Sequence, residues 1–132
     1  MTEAALERTV RFRASHHYHG VGSPGGDAGG PLTRPHHHDW AVRVTVRGPL
    51  DPSGFVVDLP ALDALLDELV AGLDGSHLNE TFPQLMEGAL QPSTETLARL
   101  LFERLAPRIP PPARLERVRI EESAELAGIW PA

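Results

Sequence analysis

Three histidines have the type and spacing for metal chemistry. His36 and His38 sit in Pro35-His36-His37-His38-Asp39-Trp40, and Ala41 to Val46 continue as alternating apolar and polar residues. Side chains two apart on a strand leave the same face, so His36 and His38 would project together and could share one metal ion. A third histidine from a neighbouring strand would complete a three-histidine site with an open position, the arrangement of catalytic zinc. His16, at the end of Phe12-Arg13-Ala14-Ser15-His16, is the candidate. On the same alternation His37 and His17 face the other way, and His19 falls in a loop.

The elements that must position these residues follow from hydrophobic period. Thr9 to Tyr18 reads as a first strand, with Val10, Phe12 and Ala14 alternating with Arg11, Arg13 and Ser15. The Gly- and Pro-rich run from His19 to Pro35 is expected to be an irregular, mobile loop. A second strand is expected from about His38 to Pro49. A turn at Leu50 to Gly54 and a short extended piece, Phe55 to Asp58, follow. Leu62, Leu65, Leu66, Leu69 and Val70 keep helical spacing, with Asp58 and Pro60 as a start signal. An irregular connection through Pro83 leads to a second helix that starts at Pro92-Ser93-Thr94-Glu95, capped by Ser93 or Thr94, and stops at Pro107. Leu115 to Glu122 and Glu125 to Trp130 read as the last two strands. The order ββααββ predicts a single α+β domain over residues 1–132. Its four-stranded antiparallel sheet would carry both helices on one face.

Composition narrows the classes of function. The chain has 132 residues, is 41% hydrophobic and carries a formal charge of −6, with no basic run of the kind that coats phosphate backbones. Nucleic acid is therefore not an expected partner. There is no cysteine, which removes disulfides, thiolate ligands and a thiol nucleophile. No apolar run approaches membrane-spanning length and the first residues lack signal-peptide blocks, so a cytoplasmic protein is expected.

Six short motifs in order resemble the 6-pyruvoyl-tetrahydropterin synthase and 6-carboxy-tetrahydropterin synthase family, whose architecture is the tunnelling fold (T-fold). Phe12-Arg13-Ala14-Ser15-His16 is similar to the family's Phe-x-Ala-Ser/Ala-His, and His36-His37-His38-Asp39-Trp40 to His-Gly-His-Asn-Tyr. Asp51 to Leu59 is similar to the segment in which Gly, an apolar residue and Val precede Asp/Asn-Leu. Leu73-Asp74 with Leu78-Asn79 keeps the spacing of Leu-Asp-His-x-x-Leu-Asn. Pro92-Ser93-Thr94-Glu95 is similar to Pro-Thr-x-Glu, and Val118 to Ser123 to Val-x-Val-x-Glu-Thr/Ser.

The resemblance implies zinc held by His16, His36 and His38. It also implies a pterin anchored by Glu122 through the paired N–H groups of its guanidine-like edge, with Thr94 and Glu95 near the ring. It implies a lyase acting on dihydroneopterin triphosphate or a related dihydropterin by proton transfer and elimination. The assembly would be a homohexamer of stacked trimers with active sites between subunits. Two departures stand out. The family's catalytic cysteine belongs in the loop between His19 and Pro35, which has none, and the histidine of its Asp-His pair is replaced by Gly75. His77, oriented by Asp74 across a helical turn, is the candidate base, with Asp27 and Asp39 behind it. Two alternatives accompany this reading. One is a T-fold enzyme diverged to a retro-aldol or cyclisation reaction; the other is a non-catalytic zinc-bound pterin- or purine-binding protein.

Overall fold

In a computed structural model that describes residues 2–20, 30–88 and 90–132, the chain forms one four-stranded antiparallel sheet in the order β1-β2-β3-β4. The strands are β1 (Glu3–His16), β2 (His36–Pro49), β3 (Arg114–Ser123) and β4 (Leu126–Trp130). The main helices, α1 (Leu59–Leu73) and α4 (Thr94–Leu105), pack on one face, α1 against β1 and α4 against β3 and β4. That is the expected α+β architecture.

The differences from expectation are local and have physical causes. β1 begins at Glu3, six residues before Thr9. Its pairing with β2 runs without a break from His16↔His36 to Glu3↔Pro49, and cross-strand bonding overrides the weak strand preference of Ala, Glu and Leu. Phe55 to Asp58 forms no strand. The Asp51 carboxylate accepts from the backbone N–H of Ser53 and Phe55 and holds the turn closed. The connection between the main helices contains two single turns, α2 (Leu78–Thr81) and α3 (Pro83–Met86), and a 3-10 turn at Pro31–Thr33 closes the end of the first loop. Four-residue helices lack the periodicity by which longer ones announce themselves.

The core lies between sheet and helices. Phe12 and Ala14 of β1, Trp40, Val42, Val44 and Val46 of β2, and Leu115, Val118 and Ile120 of β3 supply the sheet side. Leu115 and Val118 have opposite alternation phase, yet both are buried because the β2–β3 register shifts between Thr45 and Val46. Leu62, Leu65, Leu66, Leu69 and Leu73 of α1, with Leu97, Leu100, Leu101 and Leu105 of α4, close the other side. Truncating one such Leu to Ala typically costs about 2–5 kcal/mol. No helix among the described residues is long and apolar enough to cross a membrane.

Candidate metal and substrate site

The β1–β2 register builds the site. His16 lies directly opposite His36, and Ala14 opposite His38, so alternation delivers all three imidazoles to the core face at one end of the sheet. Each offers one ligand atom, and those atoms lie within 4.8 Å of one another. Trp40 floors the group: its indole is fully buried, meets the His16 and His38 rings edge-on, and is pinned by its N–H donating to the Ala14 carbonyl at 3.1 Å.

Tautomers follow from the partners. His16 Nδ1 faces the Pro92 carbonyl at 3.0 Å and His36 Nδ1 faces the Arg34 carbonyl at 2.8 Å. A carbonyl only accepts, so each Nδ1 carries the proton and each Nε2 presents its lone pair. This is the backbone support that metal-ligating histidines ordinarily have. Burial pushes the His16 pKa down to about 4, against the raising effect of the Pro92 bond, and the neighbouring histidines push further down. Burial also lowers His38, opposed by Glu122. Neutral imidazoles with free Nε2 atoms are the form a metal ion requires, and His16 Nε2 and His38 Nε2 are buried without a hydrogen-bond partner among the described residues. The donor set fits zinc.

Glu122 reaches the same place from β3. Glu121 pairs with Ala127 and Ser123 with Leu126, so Glu122 is the extra residue of a bulge, a device that re-aims a side chain. Its carboxylate stands 4.0 Å from His16 Nε2 and 3.9 Å from His38 Nε2. Thr94, buried, donates its hydroxyl to the exposed Glu95 carboxylate at 2.7 Å in the first turn of α4, whose N-cap is Ser93. One polar side chain here was missed by the sequence reading. Tyr18, two residues beyond His16, packs its ring at 5.4 Å from the His16 ring, and burial together with the Glu122 and Glu95 carboxylates raises its pKa. Extending the β1 alternation by one step would have found it.

The other candidates lie elsewhere. Asp74 and His77 do not share a helical turn: Asp74 ends α1 in an extended conformation, Gly75 follows at φ 76°, and His77 is extended too. A left-handed backbone there favours Gly, the residue that stands where the resemblance expects a histidine. The Asp74 carboxylate accepts the Arg13 backbone N–H at 2.9 Å, Gly75 N–H donates to the Arg13 carbonyl at 2.7 Å and Ser15 N–H to the Ser76 carbonyl at 3.0 Å. Residues 74–79 thus form a strap along the outer edge of β1.

His77 is held by β1 instead of by Asp74. Its Nδ1 lies 2.7 Å from Ser15 Oγ and its Nε2 2.9 Å from His17 Nδ1, with the two rings within 8° of coplanar. Ser15 and His17 sit on the opposite alternation phase from His16, so this hydrogen-bonded array occupies the other face of β1. His37, opposite Ser15, also lies on that phase and is exposed. Asp39 is exposed, with Arg13 at 3.3 Å. The Gln91 side chain brackets the His19 backbone. Asp27 lies outside the described residues.

The residues from 5 to 129 match the family model described as 6-pyruvoyl tetrahydropterin synthase. The chain belongs to that family. It is 29% identical over 125 residues to a 6-pyruvoyl tetrahydrobiopterin synthase of Poecilia reticulata, covering 89% of this chain and 83% of the relative. It is 30% identical over 90 residues to a dihydroneopterin monophosphate aldolase of Pyrococcus furiosus, covering 68% and 72%. Its fold superposes on the 6-pyruvoyl tetrahydropterin synthase of Caenorhabditis elegans with a TM-score of 0.85 at 24% identity, covering 98% of this chain and 96% of the other. The expected tunnelling fold is therefore the fold of the chain, and its family works in pterin metabolism.

Proposed function

We propose that this protein is a zinc-dependent enzyme that converts dihydroneopterin triphosphate, or a related dihydropterin, by proton transfer and elimination at the substrate side chain. The observation that carries the reading is the convergence of three imidazoles, two of them with Nδ1 fixed by a backbone carbonyl, beside the Glu122 carboxylate. His16, His36 and His38 would hold the metal. When bound, zinc supplies Lewis acidity toward side-chain oxygens and lowers their pKa.

The chain's own residues do the rest. Glu122 accepts two parallel N–H groups from the pterin edge, a bidentate contact suited to a carboxylate. Thr94 and Glu95, at the start of α4, flank the ring, and the Tyr18 ring closes the site beside His16. His77 carries the proton, held in orientation by Ser15 and His17, while Asp74 positions the strap that presents it. Because that array lies on the far face of β1 from its own metal cluster, His77 would serve the site of a neighbouring copy. A homohexamer with active sites between subunits would bring it there. Co-expressing His38→Ala with His77→Ala should then restore part of the activity each variant lacks alone; no restoration would remove His77 as a donor across the boundary.

A second reading is carbon–carbon cleavage of the side chain, a retro-aldol reaction. Two observations favour it: the similarity to the Pyrococcus aldolase and the complete absence of cysteine. Cleavage needs a proton taken from a hydroxyl already beside the metal, whereas elimination needs one taken from carbon, a harder task without a thiolate. Incubating the zinc-loaded protein with dihydroneopterin triphosphate separates the readings. Loss of triphosphate with every side-chain carbon retained supports elimination. A hydroxymethyl dihydropterin with a two-carbon aldehyde fragment supports cleavage. Tight pterin binding with no product leaves a binding protein.

A further inference from the structure

Glu122 stands too close to the histidines to be a ring anchor alone. Its Oε1 is buried with no hydrogen-bond partner among the described residues, and so are the two Nε2 atoms it approaches, His16 Nε2 at 4.0 Å and, through Oε2, His38 Nε2 at 3.9 Å. Three unpartnered buried polar atoms side by side are costly unless one group satisfies them together. The Pro92 carbonyl takes the Nδ1 proton of His16, so His16 Nε2 turns a lone pair toward the carboxylate, and a cation between the two would satisfy both. Donors around tetrahedral zinc stand roughly 3.4 Å apart, so the histidine atoms, within 4.8 Å of one another, and the Glu122 oxygens, at 3.9 and 4.0 Å from two of them, would all draw inward on an ion. The bulge at Glu122 leaves its backbone outside the regular β3–β4 register, and the side chain is 17% exposed, so it has an exit.

We propose that Glu122 is a fourth, displaceable metal ligand. In the substrate-free protein its carboxylate closes the three-histidine centre; when a pterin enters, the same carboxylate is drawn to the ring's N–H groups and opens a coordination position. This rests on the zinc reading above and adds a coupling to it: ring recognition and metal opening are one event. A pterin bound at its edge and a metal bound by four donors then compete for one carboxylate.

The test uses metal-stripped full-length protein and cobalt(II) as the probe, with visible absorption reporting coordination. Glu122→Gln keeps the shape of the side chain and removes its charge; it should lower cobalt affinity at least about tenfold, of the order seen when a metal site loses a conserved partner, and alter the absorption band. Glu122→Asp, which retains a carboxylate, should recover part of the loss. Equal affinity and spectrum in wild type and Glu122→Gln would overturn the fourth-ligand assignment. Unsubstituted pterin, which lacks the side chain that could reach the metal, tests the exchange. Cobalt should weaken pterin binding to wild type, and pterin should weaken cobalt binding by the same factor. Pterin affinity unaffected by cobalt would overturn the displacement. His16→Ala serves as the separate check of the centre itself: if it binds cobalt as well as wild type, the three-histidine reading fails and this proposal with it.

Discussion

His16 is fully buried, and its pKa is pushed down to about 4, first by burial. The unfolded chain, with an ordinary histidine pKa near 6.5, binds more protons than the folded one between those values. Stability from this group is therefore complete above about pH 6.5 and lost as pH falls toward 4, on the order of 3 kcal/mol in all. Denaturant midpoints of the metal-stripped protein should fall across that window, and His16→Gln should flatten the fall; a midpoint that is flat in wild type would contradict the burial of a neutral imidazole. Asp74 makes the complementary case. Its carboxylate accepts a backbone N–H of β1 and touches no part of the metal cluster, so Asp74→Ala should cost roughly 1–3 kcal/mol in urea denaturation and leave metal affinity unchanged. At this scale the three histidines and Glu122 were legible, because strand alternation and motif order place them. The role of Asp74 was not: a carboxylate's partner 61 residues away is set by tertiary packing, which local spacing does not encode.

The first turn of α4 ties the site to the rest of the molecule. The Pro92 carbonyl fixes His16, Ser93 caps the helix by accepting the Thr96 N–H, and Thr94 carries its backbone against β4 at Gly128. A Cβ at Gly128 would overlap the Thr94 carbonyl and lie 2.6 Å from the Glu95 nitrogen. Gly128→Ala should therefore push the turn off the sheet, destabilise by about 1–3 kcal/mol, and weaken metal binding because the Pro92 carbonyl moves with the turn. Ser93→Ala removes only the cap and should cost about 1 kcal/mol with a smaller effect on the metal. Thermal unfolding alongside cobalt titration separates the two, and equal metal affinities in both variants would contradict the linkage through α4. The helix start was readable from Pro92-Ser93-Thr94-Glu95. The need for glycine at 128 was not, since a glycine in a strand does not say what approaches it.

On the scale of the whole molecule, the chain order ββααββ and the apolar faces determined the architecture. Four amphipathic strands and two amphipathic helices bury their apolar sides in one way when the connections are short. What escaped were features below the length at which periodicity speaks: α2, α3, the bulges at Glu116 and Glu122, and the strap over β1. The strap holds His77 against Ser15 and His17, and the Glu122 bulge lies where a carboxylate faces the imidazoles. The sheet presents β4 and the part of β1 not covered by the 74–79 strap as its edges, and exposed Leu126, Ile129 and Trp130 line β4. Joining such edges between copies is a common solution to unpaired strands, and sedimentation should give a mass well above that of one chain. The central proposal is that His16, His36 and His38 hold zinc. The direct measurement is zinc content by elemental analysis of untagged protein after exposure to zinc and removal of excess. About one zinc per chain in wild type and almost none in His38→Ala, with the fold of both verified by circular dichroism, is the expected result. A zinc content that is negligible in wild type, or unchanged by His38→Ala, would contradict it.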